Sequence, residues 1–547
     1  MERAVLLIEL SEITLILPIL LYAETHYRFR YFFSYLRKQE PEILADAPHR
    51  IEPGNDIPLL VFAKDADQYP CLIRQITVTV SQNGVPKASR RLLTTPLKLK
   101  NKWWWTVYRI KAAKLKGWIE VNVQFDIETR NLRRTYHNDN YRTSTKRPLR
   151  VFLAETPLPK LAGLCLGDAH VHSSYTEDQV EYGAPPSASV ILSMAMGLAF
   201  FCITDHSYDL DDSLTDYLQN DPSLPKWKSL RREVTFLNRR HEDHAILLGE
   251  EVSCRNHQGQ NVHLLLFGNR HFVPGSGDSA ERWFRTRSQF SVVEVLERLS
   301  GGIAVAAHPK EQTPVLQQLL LGRGSWSQPD LRMDALAGIQ FLNGDYFDGF
   351  IRGKSAWTKA LLSGSRVHAI AGNDAHGNFN RFRQVGFPFV RISEHSRQIF
   401  GKMRTGLFLK SPISESAIRA AIKNGHTIIS DGPVASIRAT NDSGAVAFHG
   451  ETISGRALKV HIEAKSSKEF GTLRNIKLHL GFLGRRQEQL VFSARATGQI
   501  TFEQALSIGI VQAAYLRLTV ETSSDGTFDN LPHACLTNPI WCDPEES

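Results

Sequence analysis

Four brief apolar runs, each ending on a histidine or a carboxylate, constrain this chain most. Leu198–Thr204 runs into Asp205-His206, and Ile246–Gly249 runs into Glu250-Glu251. Ile303–Ala307 runs into His308, and Val367–Gly372 into Asn373-Asp374-Ala375-His376. Each reads as a short strand apolar on both faces, the pattern expected where helices cover both sides of a sheet. Helical spacing lies between them. Val292, Val293, Leu296 and Leu299 share one face before Gly301-Gly302, and Ala188–Met196 behaves similarly before Gly197. Alternating helix and buried strand predicts an α/β class with a parallel sheet or barrel. In such folds functional groups collect at the carboxyl ends of strands.

The flanks read differently. From Ile51 to Leu153 the pattern is β: Ile76–Val80 alternates, Asn83-Gly84 supplies a turn, and strands follow at Trp103–Ile110 and Ile119–Ile127. A β-sandwich is expected there. The triple Trp103-Trp104-Trp105 fits a core-and-edge strand better than a carbohydrate platform. Ser414–Asn424 predicts a helix stopped by Gly425, then a strand at His426–Ser430 and a turn at Asp431-Gly432-Pro433. Beyond it alternation returns at Leu458–Ala464, Ile476–Leu480 and Leu516–Val520, predicting a second β-sandwich. With 547 residues, two or three domains are expected, bounded at 51–160, 161–433 and 434–547.

Residues 1–50 form a separate segment. Ala4–Ala23 is apolar, but Glu9, Glu12 and Pro18 interrupt it, and the clean run Ile13–Ala23 is too short to span a bilayer. A packed helix or strand is expected. A membrane-surface helix is the alternative, because Arg28, Arg30, Arg37 and Lys38 follow among aromatics. The six cysteines form no CxxC pair, which fits a reducing, cytoplasmic setting; a Cys535–Cys542 pair is open but not required. The net charge of +9 is mild for this length, and no zinc-finger or other nucleic-acid signature accompanies it. A small anionic substrate is expected, with no nucleic-acid partner.

The chemistry begins at Gly167-Asp168-Ala169-His170-Val171-His172. Histidines at i and i+2 of a strand project to one side and offer two ligands there. Alone the pair is weak. Asp205-His206, Glu251, His263, His308, Asp374 and His376 add further hard or borderline metal ligands in strand-associated positions. Cysteine is absent from the set, which favours a catalytic site with open positions over a structural zinc site. So many donors exceed what one ion uses, so two or three divalent ions are expected, with Mn, Fe or Zn all compatible.

These motifs resemble the PHP (polymerase and histidinol phosphatase) superfamily. GDAHVHSSYTED resembles its first motif and ITDHS its second; GEEV with HLLLFG, then AAHP, then GNDAH follow in order across Leu161–Pro433. DQVEYGAPP, ISDGP and TNPIW further resemble the larger members related to carbaryl hydrolase, which carry flanking β domains. The resemblance implies a distorted (β/α)7 TIM-like barrel with three metals. His170, His172, Glu251 and Asp374 would hold the first ion. Glu251 would bridge to the second, completed by His263 and His308. His206 and His376 would hold the third with a first-motif loop residue, Glu177 or Asp178, of which Asp178 is preferred. Asp205 would support the catalytic pair His206 and His376. Gln340, in GIQFLN, stands where relatives often place Glu.

Arg381, Arg383 and Lys310 are the expected substrate-binding cations. The expected reaction is hydrolysis of a phosphate ester by metal-bound hydroxide. A carboxylic or carbamate ester is the alternative substrate, and a non-catalytic carbohydrate- or partner-binding protein the second alternative.

Overall fold

The computed structural model describes residues 40–544, apart from 113, 131, 141–145, 178–181, 217–218, 278–285, 314–317, 319–320 and 385–392. The apolar segment Ala4–Ala23 and the cations that follow it lie outside the described residues.

Alternation dictates the N-terminal part. Glu42–Asp46, Ile57–Lys64 and Trp103–Ile110 form an antiparallel three-stranded sheet. It faces a seven-stranded sheet centred on Cys71–Gln82 and Gly117–Thr129. Ile57, Leu59 and Val61 of the first sheet share a core with Ile76, Val78, Val121 and Phe125 of the second. Asn83 and Gly84 both take positive φ, 52° and 74°, as a two-residue hairpin turn requires. Trp103 sits in the molecule, 5.2 Å from the Phe62 ring and 6.0 Å from Tyr182, rather than on an open platform.

The central part departs from the expected α/β barrel. The chain is mostly β, about 44% strand against 15% helix. Leu164–His172 pairs in parallel with Phe200–Ile203, and that strand with Ala245–Arg255. The next two pairings are antiparallel: Ala245–Arg255 with Asn261–Phe267, and Asn261–Phe267 with Ile303–Ala307. Parallel pairing resumes through Leu336–Asn343 to His368–Gly372. The (β/α)7 arrangement fails at a definite place. The segment between Arg255 and Asn261 is too short for a helical crossover, and so short a connection joins antiparallel neighbours only. Apolar runs report burial on both faces; they do not report whether helix or strand supplies the cover.

On its other edge Leu164–His172 pairs antiparallel with Arg404–Phe408, then Thr427–Ser430, then Ala534–Thr537 near the C-terminus. One sixteen-stranded sheet therefore runs from the His-rich strands into the C-terminal strands Ala514–Thr522 and Leu473–Phe482. A four-stranded sheet with Val434–Asn441 and Ala457–Lys465 packs there, placing Ile437, Val460 and Ile462 in one core with Ile476, Leu478 and Leu518.

Several expected helices form. Pro186–Ala195 ends before Gly197, whose φ is 83°. Glu415–Asn424 is capped by the Ser414 side chain, which accepts from the Ala417 amide, and stops at Gly425 with φ 70°. Val292–Glu297 starts with a capping box from Ser291 and Glu294 but closes at Arg298, earlier than Gly301. All six cysteines are free, so Cys535 and Cys542 are not bridged. Among the described residues no helix is long and apolar enough to cross a membrane.

Candidate metal centre

The ends of separate strands meet through their backbones. Asn373 and Asp374 donate their amides to His170 O at 3.3 and 2.9 Å. Ala375 and His376 pair in parallel with Val171 and His172. Glu251 donates to Asp205 O at 3.0 Å, beside His206. Gly372 makes this approach possible, because a Cβ there would lie 2.5 Å from the His170 Cβ. Glu251 and His263 lie inside paired strands, not past strand ends, so each projects from the sheet face.

Glu251 is the hub. Its Oε2 lies 3.4 Å from His170 Nε2, 3.3 Å from His172 Nε2 and 3.2 Å from His206 Nδ1. Its Oε1 lies 2.7 Å from His263 Nδ1 and 3.2 Å from His308 Nε2. Asp374 Oδ1 faces His172 Nε2 at 3.1 Å and His170 Nε2 at 3.5 Å. The His172 and His376 rings stack at 4.0 Å. Three overlapping sets result: His170, His172, Glu251 and Asp374; Glu251, His263 and His308; His172, His206 and His376. Within each set the donor atoms lie within 4.8 Å of one another. The first two sets are those the sequence resemblance implied. The third joins His206 and His376 through His172.

The loop candidates separate. Asp178 lies outside the described residues. Glu177 is turned to Lys102 of the N-terminal sheets, 2.7 Å from its Nζ. Asp205 does not reach the donor cluster. It accepts from the Ser173 amide at 2.6 Å, the Ser173 hydroxyl at 2.5 Å and the Thr176 hydroxyl at 3.0 Å. Thr176 Oγ1 also lies 3.2 Å from His172 Nδ1 and 3.2 Å from the His206 amide. Because its proton goes to the carboxylate, its lone pairs accept from His172 Nδ1–H and His206 N–H. His172 therefore points Nε2, not Nδ1, toward Glu251 and Asp374.

The electrostatics suit cations. Burial alone would raise Glu251; the charges of His263 and His170 overcome it and hold the carboxylate well below its usual range. Asp374 is held low in the same way, against burial, by His170 and its bond to His172. Burial works to lower His172, but its bond to Asp374 and the adjacent Glu251 carboxylate push it up to about 10. Burial, joined by the charge of His172, takes His206 and His376 down to about 4, which leaves both rings neutral near pH 7.

The buried atoms His170 Nε2, His206 Nδ1, His376 Nε2 and Glu251 Oε2 make no hydrogen bond among the described residues, although carboxylate–imidazole distances are short. Unbonded imidazole nitrogens converging on carboxylates could hold metal ions. His308 and Asp374 have positive φ, 25° and 51°. Such backbone strain in residues other than glycine concentrates at functional sites.

Two of the expected substrate cations are engaged by backbone carbonyls. Lys310 donates to Trp326 O. Arg381 donates to Arg147 O at 2.7 Å. The Arg383 backbone pairs with Glu394, and its side chain lies outside the described residues. A cavity-lining cation that the sequence reading did not name is Arg397. It lines a cavity of about 340 Å³ beside His308, with Glu311, Asn343, Asp345 and Phe347. Its Nε lies 2.9 Å from Asp345 Oδ2, and its guanidinium 4.5 Å from the Phe347 ring centre. Gln398 is also new: its Nε2 donates to Asp374 Oδ2 at 3.0 Å. Both follow an unpatterned stretch with no motif to mark them.

No family model matches the chain, and no curated protein matches it. Solved structures match faintly. β-Glucuronidase 2 of Bacteroides uniformis is 10% identical with a TM-score of 0.17, the match covering 92% of this chain and 61% of that one. A putative β-galactosidase from Bacteroides fragilis is 10% identical with a TM-score of 0.20, covering 92% and 74%. The α-2-macroglobulin of Escherichia coli is 7% identical with a TM-score of 0.15, covering 92% and 24%. The chain thus spans less than two thirds of the β-glucuronidase. At scores this low the likenesses carry no argument about activity.

Proposed function

We propose that this chain is a metal-dependent phosphoesterase of PHP type. The observation that supports it is the overlap of three donor sets at Glu251 and His172, which brings separate motifs into one group of candidate ligands. His170, His172, Glu251 and Asp374 would hold one ion and Glu251, His263 and His308 a second; His206 and His376 would offer two ligands to a third, because His172 has only Nε2 to give and that faces the first. Bound divalent ions supply Lewis acidity, activate water near neutral pH and neutralise anionic oxygens. Glu251 and Asp374 stay ionised in a buried site and offer oxygens to more than one position. His206 and His376, neutral near pH 7, present lone pairs rather than protons. Thr176 and Gln340 hold the rings of His172 and His170 in the donating orientation. Arg397 lines the cavity beside His308 but is paired with Asp345, and Glu311 and Asp348 line it too, so bound cations would have to supply the attraction for an anionic ester.

The test is elemental analysis followed by a panel of phosphomonoesters, phosphodiesters and carboxylic esters, with His170→Ala as control. Two or more transition-metal ions per chain and Mn-dependent phosphate release, both lost in the control, are expected. Cleavage of naphthyl acetate with no cleavage of any aryl phosphate would replace the phosphoesterase reading by an ester hydrolase. Less than one ion per chain would favour an inert binding protein.

A further inference from the structure

We infer that Gln340 is a positioning residue that sets the donor tautomer of His170 and ties it to the His308 turn. The inference rests on the metal-centre reading above. Gln340 is fully buried on the Leu336–Asn343 strand. Its Oε1 accepts from the backbone amide of His308 at 3.0 Å. A backbone N–H only donates, so the atom facing it is the amide oxygen, and the amide orientation is settled. The same Oε1 lies 3.2 Å from His170 Nδ1, so that nitrogen carries the proton. In the neutral ring His170 Nε2 is then the lone-pair atom, and it is the one that faces Glu251 and Asp374.

The far end of the amide is also held. Gln340 Nε2 donates to Asn343 Oδ1 at 2.9 Å, and Asn343 Nδ2 donates to Glu311 Oε2 at 3.0 Å. A chain of bonds runs from the cavity carboxylate Glu311 to His170. One oxygen thus bridges a ligand of the first donor set and the backbone of a ligand of the second, across strands that pair in parallel. The His308 backbone is held at φ 25°, a conformation that needs such external support. The acceptor is a neutral amide. A carboxylate in its place would make the Nδ1–H bond charge-assisted and the imidazole a stronger donor. It would also turn the Asn343 amide, bringing its oxygen against Glu311.

The test measures ion affinity by chelator competition and follows the visible spectrum of the Co-substituted protein. Gln340→Leu keeps the volume and removes the acceptor. It is expected to weaken the tightest ion about 10- to 100-fold, the usual cost of losing such a partner, and to alter the Co spectrum. Gln340→Glu combined with Glu311→Gln restores an acceptor and relieves the clash at Asn343. It is expected to bind at least as tightly as Glu311→Gln alone. That comparison stands even if the Leu variant does not fold. Wild-type affinity in Gln340→Leu, or a double variant weaker than Glu311→Gln, would overturn the role of Gln340. Failure of the wild type itself to bind ions would instead overturn the metal-centre reading.

Discussion

At the scale of single residues, Glu251 and Thr176 carry the arrangement by different means. Glu251 is an anion within reach of five imidazoles, His170, His172, His206, His263 and His308. Glu251→Gln keeps the shape and removes the charge; ion content should fall below one per chain, and activity by at least about 100-fold, read by elemental analysis and initial rates. Among the described residues, the Thr176 hydroxyl hydrogen-bonds no other member of the donor sets than His172 and the His206 backbone. Thr176→Val leaves His172 Nδ1–H and the Asp205 carboxylate without their hydroxyl partner. Ion affinity should fall roughly 10-fold, whereas Thr176→Ser retains it. Equal affinity in the Val variant would remove Thr176 from the account.

At the scale of elements, the close passage of His368–Gly372 behind Leu164–His172 depends on one missing side chain. A methyl at Gly372 would sit 2.5 Å from the Cβ of His170 and 2.8 Å from its N. Gly372→Ala should cost about 1–3 kcal/mol by overpacking and push His170 off Glu251. Chemical denaturation gives the first quantity and ion content the second. The helices were legible because caps and stops are local: Ser414 and Gly425 mark both ends of Glu415–Asn424. The Asn83-Gly84 hairpin was legible for the same reason. The antiparallel turn-back through Asn256–Gln260 was not, since its two strands carry the same continuous burial as the parallel ones.

At the scale of the whole molecule, buried charge joins parts distant in sequence. Arg50 binds Glu469 through Nε at 3.0 Å and Nη2 at 2.7 Å, and Glu52 through Nη1 at 2.9 Å. It is 1% exposed, so removing one partner leaves a buried cation undercompensated. Glu469→Gln should destabilise by roughly 3 kcal/mol in equilibrium unfolding.

A second tie gives a pH signature. Asp431 accepts from Tyr346 OH at 3.0 Å and the Ala534 amide at 2.8 Å, and lies 2.8 Å from His533 Nδ1. Burial opposes the His533 charge, but Asp431 and then Asp529 push its pKa up to about 9. Asp431 is held low, against burial, by His533. A raised histidine contributes fully below its unfolded value of 6.5 and loses that contribution as pH rises through about 9. A lowered aspartate contributes above 3.8 and loses it as pH falls. The pair should stabilise most between about pH 4 and 6.5, and His533→Gln should flatten the alkaline decline of the melting temperature. An unchanged alkaline limb would show that the pair is not its source.

By itself the sequence determined which residues meet in the candidate donor sets. His170, His172, Glu251, His263, His308, Asp374, His206 and His376 were all named from motifs, because ligand atoms must be imidazole or carboxylate and such residues are conspicuous beside apolar runs. It also determined the local punctuation of caps and turns. Only the tertiary structure decided how strands pair, that Glu177 is taken by Lys102, that Asp205 bonds to Thr176, and that Arg397 rather than Lys310 or Arg381 lines the cavity. Pairing direction and long-range hydrogen bonds depend on which distant surfaces bury one another, and burial periodicity records only that a face is covered, never by what.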